Sequence, residues 1–263
     1  MTSISTDDIF NLDHPKNFAN GKWNRLVLLS SNDPYHLLVE RHFQTGWVHP
    51  HKSKPQVQAV FKILSTSESL KKYERYRAKV AVHPKVAHKK VPGNERLLFH
   101  GTARCCLLAE DSSRVRLCNL PECYLCCVIR SSFEVQRCGT RNKFRRFGTG
   151  IYTSECSSKA DDYSCNKSDD ANFRVMLANR VVVGKARKQQ ENAEHLTEPP
   201  KGYHSVIGKP GLELNYPETV VYDNDAIRPA FLIVYGTPEA SEKKDPKRLR
   251  NFITTLFNTP IAS

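Results

Sequence analysis

No apolar run in this chain approaches the eighteen or so residues that a membrane-crossing helix needs, so no span is expected. Acidic residues are few: 27 Asp and Glu stand against 40 Lys and Arg, a net charge of +13 with a pI near 9.4. Such a surface attracts polyanions, and nucleic acid is among the partners it suits. No internal repeat is present. The opening residues Met1 to Asp8 have neither a basic region nor an apolar run, so a secretory signal is not expected and the thiols are read as reduced, in nucleus or cytoplasm. At 263 residues the chain is long enough to bury one full core.

Cysteine is abundant and unevenly placed. Six of the nine fall between Cys105 and Cys127. Cys118, Cys123, Cys126 and Cys127, with Cys105 and Cys106 upstream, put thiolates at separations that can close around one tetrahedral Zn²⁺. The bland alternative is a set of buried free thiols acting as small apolar residues. Cys138, Cys156 and Cys165 look unrelated to that group, and Cys156 is expected to be filler or an exposed, oxidisable thiol.

Hydrophobic spacing places several elements. Residues 57–63 alternate like a strand, and Ser67 can cap a helix that turns Leu70, Tyr73 and Val80 inward. Asn32, Asp33 and Pro34 form a helix start, with Pro34 at the first helical position and Leu37, Leu38 and Phe43 carried until Gly46. A strand is suggested over Trp23 to Leu29, a long β-rich run over Phe173 to Lys185, a polar loop over Gln189 to Lys201, and a closing strand over Ala230 to Tyr235. Near the C-terminus, Asn251 to Phe257 offers a short amphipathic patch.

Three motifs carry the chemistry: Leu98-Phe99-His100-Gly101-Thr102, then Gly148-Thr149-Gly150-Ile151-Tyr152-Thr153-Ser154, then Pro217-Glu218-Thr219-Val220-Val221-Tyr222-Asp223. Each reads as a short apolar strand end presenting one polar or aromatic side chain. In this order, together with Ser158, Lys159, Ala160, Tyr163 and the segment from Gly202 to Val206, they resemble the catalytic domain of the poly(ADP-ribose) polymerase family over roughly residues 55 to 236. The resemblance implies an α+β fold built on a split antiparallel β-sheet, with flanking helices, and NAD⁺ as co-substrate. It divides the chain into an N-terminal extension (1–54) packed on the domain, a catalytic domain (55–236) with a zinc-binding insertion near 105–127, and a C-terminal extension (237–263).

What the resemblance implies for residues follows from the reaction. Breaking the bond between nicotinamide and ribose builds positive charge on the sugar, so an anion is needed beside it. Glu218 takes that role, with His100 and Tyr152 as its catalytic companions. His100 would bond a ribose hydroxyl of the adenosine half, the backbone of Gly101 would pair with the carboxamide, and Tyr152 and Tyr163 would sandwich the nicotinamide ring. Relatives carry a serine for the carboxamide eight residues after the first stacking tyrosine; here that position is Ala160, with Ser158 nearby at a different spacing. Similarity to stand-alone fungal members with a cysteine cluster after the His-Gly-Thr motif favours Cys106, Cys118, Cys123 and Cys126 as ligands of a structural zinc. Cys105 stays the alternative to Cys106, and Cys127 is expected to face the core.

The expected function is transfer of ADP-ribose, singly or as a polymer, to a protein or nucleic-acid acceptor. An inactive NAD- or nucleic-acid-binding zinc module and an RNA 2′-phosphotransferase are the alternatives. Basic residues gather at Lys85 to Lys90, at Arg141, Lys143, Arg145 and Arg146, and at Lys243 to Arg250. The second group precedes Gly148 and is the preferred contact for an acceptor or substrate phosphate; the third could act as a nuclear import signal.

Overall fold

The computed structural model describes residues 25–87, 91–137, 145–212 and 214–236. Trp23, His88 to Lys90, Cys138, Arg141, Lys143, the Lys243–Arg250 run and the Asn251–Phe257 patch lie outside the described residues.

The chain opens with a strand, β1 (Leu26–Leu28), and a helix, α1 (Pro34–Thr45). α1 starts where the Asp33 carboxylate accepts from the Tyr35 amide at 2.8 Å and Pro34 takes the first helical turn, and it stops at Gly46. β2 (Gln56–Ile63) follows, then α2 (Ser67–Ala81). The α2 cap is Thr66, whose side chain accepts from the Ser69 amide, rather than Ser67. Tyr73 and Val80 are buried as expected, while Leu70 is half-buried.

Two sheets organise the rest. The larger has the order β1-β2-β11-β7-β3, with β3 at Glu95–His100, β7 at Arg174–Val182 and β11 at Ile227–Gly236, and every pair in it is antiparallel. β11 is central and buried along nearly its whole length because both sheet faces are covered. Phe231, Ile233 and Tyr235 meet Val39, Phe43 and Trp47 of α1 and the segment after it, while Leu232 and Val234 meet Leu125 and Ile129 on the other side. That double covering explains why β11 reads over Ala230 to Tyr235 as a continuous apolar run instead of an alternating one, while β7 is broken only by the buried Asn179 and Arg180.

The smaller sheet has the order β5-β10-β9-β8, from Ile151–Thr153, Glu218–Val221, Ser205–Gly208 and Ala186–Gln189. The expectation of a wholly antiparallel sheet needs correction at one pair, since β8 and β9 run parallel. A two-stranded parallel pair, β4 (Ala103–Arg104) with β6 (Cys165–Asn166), flanks the cleft. The two main sheets meet where Phe99 and Ser154 exchange backbone hydrogen bonds of 2.8 and 3.0 Å, which brings the end of β3 beside the end of β5. Two short helices complete the cleft, α3 (Tyr124–Ser131) and α4 (Ser157–Asp161).

Buried ion pairs hold the framework beneath this junction, centred on Arg104 and on Glu95. Arg104 donates to Asn166, to the carbonyls of Leu108 and Phe173 and to Glu110. Glu95 is bonded by Arg180 and by Arg77 at 2.9 Å. Removing one partner of such a pair leaves an uncompensated buried charge, at a cost of about 3–5 kcal/mol. Among the described residues no helix is long and apolar enough to cross a membrane.

Candidate active site and cysteine cluster

At the junction of the sheets lies a cavity of 480 Å³, within the range that holds a nucleotide-sized ligand. Five of the residues expected in the site line it: His100, Gly101, Tyr152, Tyr163 and Glu218. His100 ends β3 of the larger sheet and Gly101 follows it; Tyr152 and Glu218 stand on the adjacent strands β5 and β10 of the smaller one, where Tyr152 pairs with Val220.

His100 is held by a 2.8 Å contact between its Nδ1 and the Tyr152 carbonyl, and its ring meets Phe133 edge-on at 5.1 Å. A carbonyl only accepts, so Nδ1 carries the proton and Nε2 is left as the acceptor. Burial lowers the imidazole's basicity, partly offset by the carbonyl contact, so the ring is neutral near pH 7.

Gly101 is required by packing. A Cβ there would lie 1.9 Å from the Ala160 carbonyl oxygen and 2.7 Å from the Ser164 amide. The strand end therefore abuts α4 with only hydrogen between them, leaving the glycine backbone open to the cavity. Tyr152 is pinned at its far end: its hydroxyl accepts from the Phe147 amide and donates to the Gly148 carbonyl, at 2.9 and 2.8 Å. Both tyrosine rings reach the cavity, and Tyr163 is the more exposed of the two.

Glu218 is met by a residue that sequence reasoning left without a role. Lys159 on α4 places its Nζ 2.7 Å from Glu218 Oε1 and 2.9 Å from the Tyr216 carbonyl, and it is buried. Burial lowers its pKa, and the Glu218 carboxylate works against that shift. A lysine between Ser158 and Ala160 was the available signal, because a long cation among small residues in a buried turn must have an anion to meet.

Ser158 does not reach the cavity. Its hydroxyl is fully buried and bonded to the amides of Val48 and His49 and, at 2.6 Å, to His49 Nδ1. It buttresses a wall instead: His49 stacks on Tyr216 with ring centres 3.9 Å apart, and both rings line the cavity near Glu218. His49 arrives from the segment between α1 and β2, so no local motif points to it. Ala160, at the position where relatives carry a serine, is among the lining residues and is itself buried in an apolar cluster with Phe99. Arg145 and Arg146 also line it, and are held by Thr149 and Asn192.

The sulfur atoms of Cys106, Cys118, Cys123 and Cys126 lie within 4.8 Å of one another and can hold a metal ion. A tetrahedron with Zn–S bonds of about 2.3 Å has S–S edges of about 3.8 Å. Cys106 sits 3.8 Å from Cys123 and 3.6 Å from Cys126. The crowding pushes the Cys106 thiol up to about 11, chiefly through its contact with Cys123. Cys105 contributes its amide instead of its sulfur, donating to Cys123 Sγ at 3.3 Å. One expectation changes here: Cys127 does not face the core but lines the cavity, on the side of α3 that also presents Tyr124 and Val128. Cys156 is buried, in keeping with its reading as filler.

The family model for the poly(ADP-ribose) polymerase catalytic domain matches residues 37–211. The matched stretch holds His100, Gly101, Tyr152, Lys159 and Tyr163 and ends before Glu218. Because it takes in 175 of the 263 residues, this chain belongs to the poly(ADP-ribose) polymerase catalytic domain family, with the ADP-ribosyltransferase fold.

Proposed function

We propose that this protein is an NAD⁺-dependent ADP-ribosyltransferase that cleaves the nicotinamide–ribose bond and moves ADP-ribose to a protein or nucleic-acid acceptor. The observation that carries the reading is the Glu218 carboxylate on the wall of a cavity that it shares with His100, Gly101, Tyr152 and Tyr163. In this reading Tyr152 and Tyr163 grip the nicotinamide ring, the Gly101 backbone bonds its carboxamide, and His100 Nε2 accepts from a hydroxyl of the adenosine ribose.

As the glycosidic bond lengthens, positive charge grows on the nicotinamide ribose. Glu218, fixed by Lys159, meets that charge without having to reorganise. The same carboxylate can then accept the proton of the incoming nucleophile. His49 and Tyr216 bound the acceptor side, and Arg145 and Arg146 at the cavity supply cations for a donor or acceptor phosphate.

Cys106, Cys118, Cys123 and Cys126 would hold a structural zinc. Four protein ligands leave no open position on the ion, so its contribution is to folding, and it pins the segment after β3 against α3.

The test is nicotinamide release from NAD⁺ by wild-type protein beside Glu218→Gln, with labelled NAD⁺ to follow ADP-ribose onto protein, DNA and RNA. Release with label on one acceptor, lost in the variant, is the expected result. No release from folded, zinc-loaded protein would overturn the assignment.

A further inference from the structure

Away from the cavity, cations from two segments and a tyrosine from a third converge on one face. Lys79 lies in the last turn of α2 and Lys85 in the turn after it; Lys185 and Arg187 lie just before and on β8; Tyr203 precedes β9. The Lys185 ammonium sits 4.2 Å from the centre of the Tyr203 ring and the Arg187 guanidinium 5.8 Å from it. The Arg187 hydrogen bond and the charges of Lys185 and Lys85 make the Tyr203 phenol more acidic than usual. Among the described residues none of these four cations is ion-paired with a carboxylate.

Gathering like charges without counter-charges works against folding, so such a face is better explained by a ligand than by stability. Two histidines add directed donors. His83 and His204 meet edge-on at 5.0 Å, and each accepts a backbone amide at Nδ1, from Lys85 at 3.2 Å and Lys185 at 3.1 Å. Both therefore carry their protons on Nε2. Gly184, with φ of +57°, makes the arrangement possible, since a Cβ there would stand 2.8 Å from the His204 ring.

We propose that this face is a second binding surface, separate from the cavity, for a single-stranded nucleic acid. The cations meet the phosphates, and the half-buried rings of Tyr203 and the histidines meet the bases. β8 is the outer strand of its sheet and carries Arg187 and Lys188 exposed, so a strand can run along an open edge. That edge is three strand spacings, about 14 Å, from the strand bearing Tyr152. An anionic membrane fits less well, because it requires a row of apolar side chains to insert, and Val82 alone stands exposed next to His83 in the sequence. Binding here does not depend on the proposed transferase reaction.

The experiment is fluorescence anisotropy of a labelled oligothymidylate titrated with wild-type protein, a Lys185→Gln/Arg187→Gln double variant, Tyr203→Ala, and a Lys71→Gln/Arg75→Gln control with the same charge change elsewhere on α2. Thermal melts confirm that each variant is folded. The expected result is tenfold or greater weakening in the Lys185/Arg187 variant with a shallower salt dependence, weakening by Tyr203→Ala that inorganic polyphosphate binding does not share, and little change in the control. Nicotinamide release from NAD⁺ alone stays at the wild-type level in all of them. Equal weakening in the two double variants, unchanged affinity in the Lys185/Arg187 variant, or loss of binding to phosphatidylserine vesicles without loss of oligonucleotide binding would each overturn the proposal.

Discussion

The buried Lys159 ammonium on α4 and the half-buried Glu218 carboxylate at the start of β10 form an ion pair 2.7 Å apart. Burial holds the lysine pKa below its ordinary value. Its ion pair is therefore lost, as pH rises, earlier than an ordinary lysine would lose it, and transfer should fall on an alkaline limb that lies below pH 10.5. Lys159→Arg, which stays charged, should push that limb upward; Lys159→Met should lower kcat tenfold or more, equivalent to ~1.4 kcal/mol. The pH profiles of kcat for the three proteins check this.

Glu218→Gln preserves size and removes the charge facing the developing cation. Transfer should drop by roughly 10² to 10³, about 2.7–4 kcal/mol, while NAD⁺ binding changes little. Single-turnover rates beside calorimetric NAD⁺ affinity separate the two effects, and equal loss in both would remove Glu218 from its assigned role.

His100 presents Nε2 as an acceptor only while the ring is neutral. Its pKa is lowered by burial, so donor binding should hold down to pH values below 6.5 and weaken only as the ring gains its second proton. A kcat/KM profile with its acid limb above pH 6.5 would contradict this geometry.

Ala160 is a buried residue of the cavity wall. Ala160→Ser should restore one hydroxyl toward the carboxamide and tighten NAD⁺ binding about fivefold, on the order of 1 kcal/mol. Unchanged KM and affinity would show that the carboxamide is satisfied elsewhere.

Metal analysis should return about one zinc per chain, and a chelator should lower the melting temperature. Cys126→Ser, lacking one ligand, should melt lower than wild type and respond less to chelation. A metal-free wild-type protein with an unchanged melt would dismiss the site.

The parts legible in sequence were those set by local pattern. Asp33 with Pro34 announced α1, and the apolar run closing at Tyr235 announced β11, because caps and hydrophobic spacing act within a few residues. The Cys123–Cys126 pair announced the cysteine cluster for the same reason. Lys159 and His49 were missed because their meaning lies in partners 59 and 109 residues away, Glu218 and Ser158. The Ser158 hydroxyl followed the same logic in reverse: its nearness to position 160 suggested the carboxamide despite the different spacing, and a distant segment claimed it. The parallel pairing of β8 with β9 was likewise invisible, since neither strand's sequence records its neighbour's direction.

The junction at Phe99 and Ser154 joins sheets that grip opposite parts of the same cavity, His100 and Gly101 from one and Tyr152 and Glu218 from the other. A molecule seated there acts as a rivet across the seam. Its binding energy is spent partly on fixing one half of the protein against the other, and occupancy should be felt as rigidity in strands far from any atom it touches.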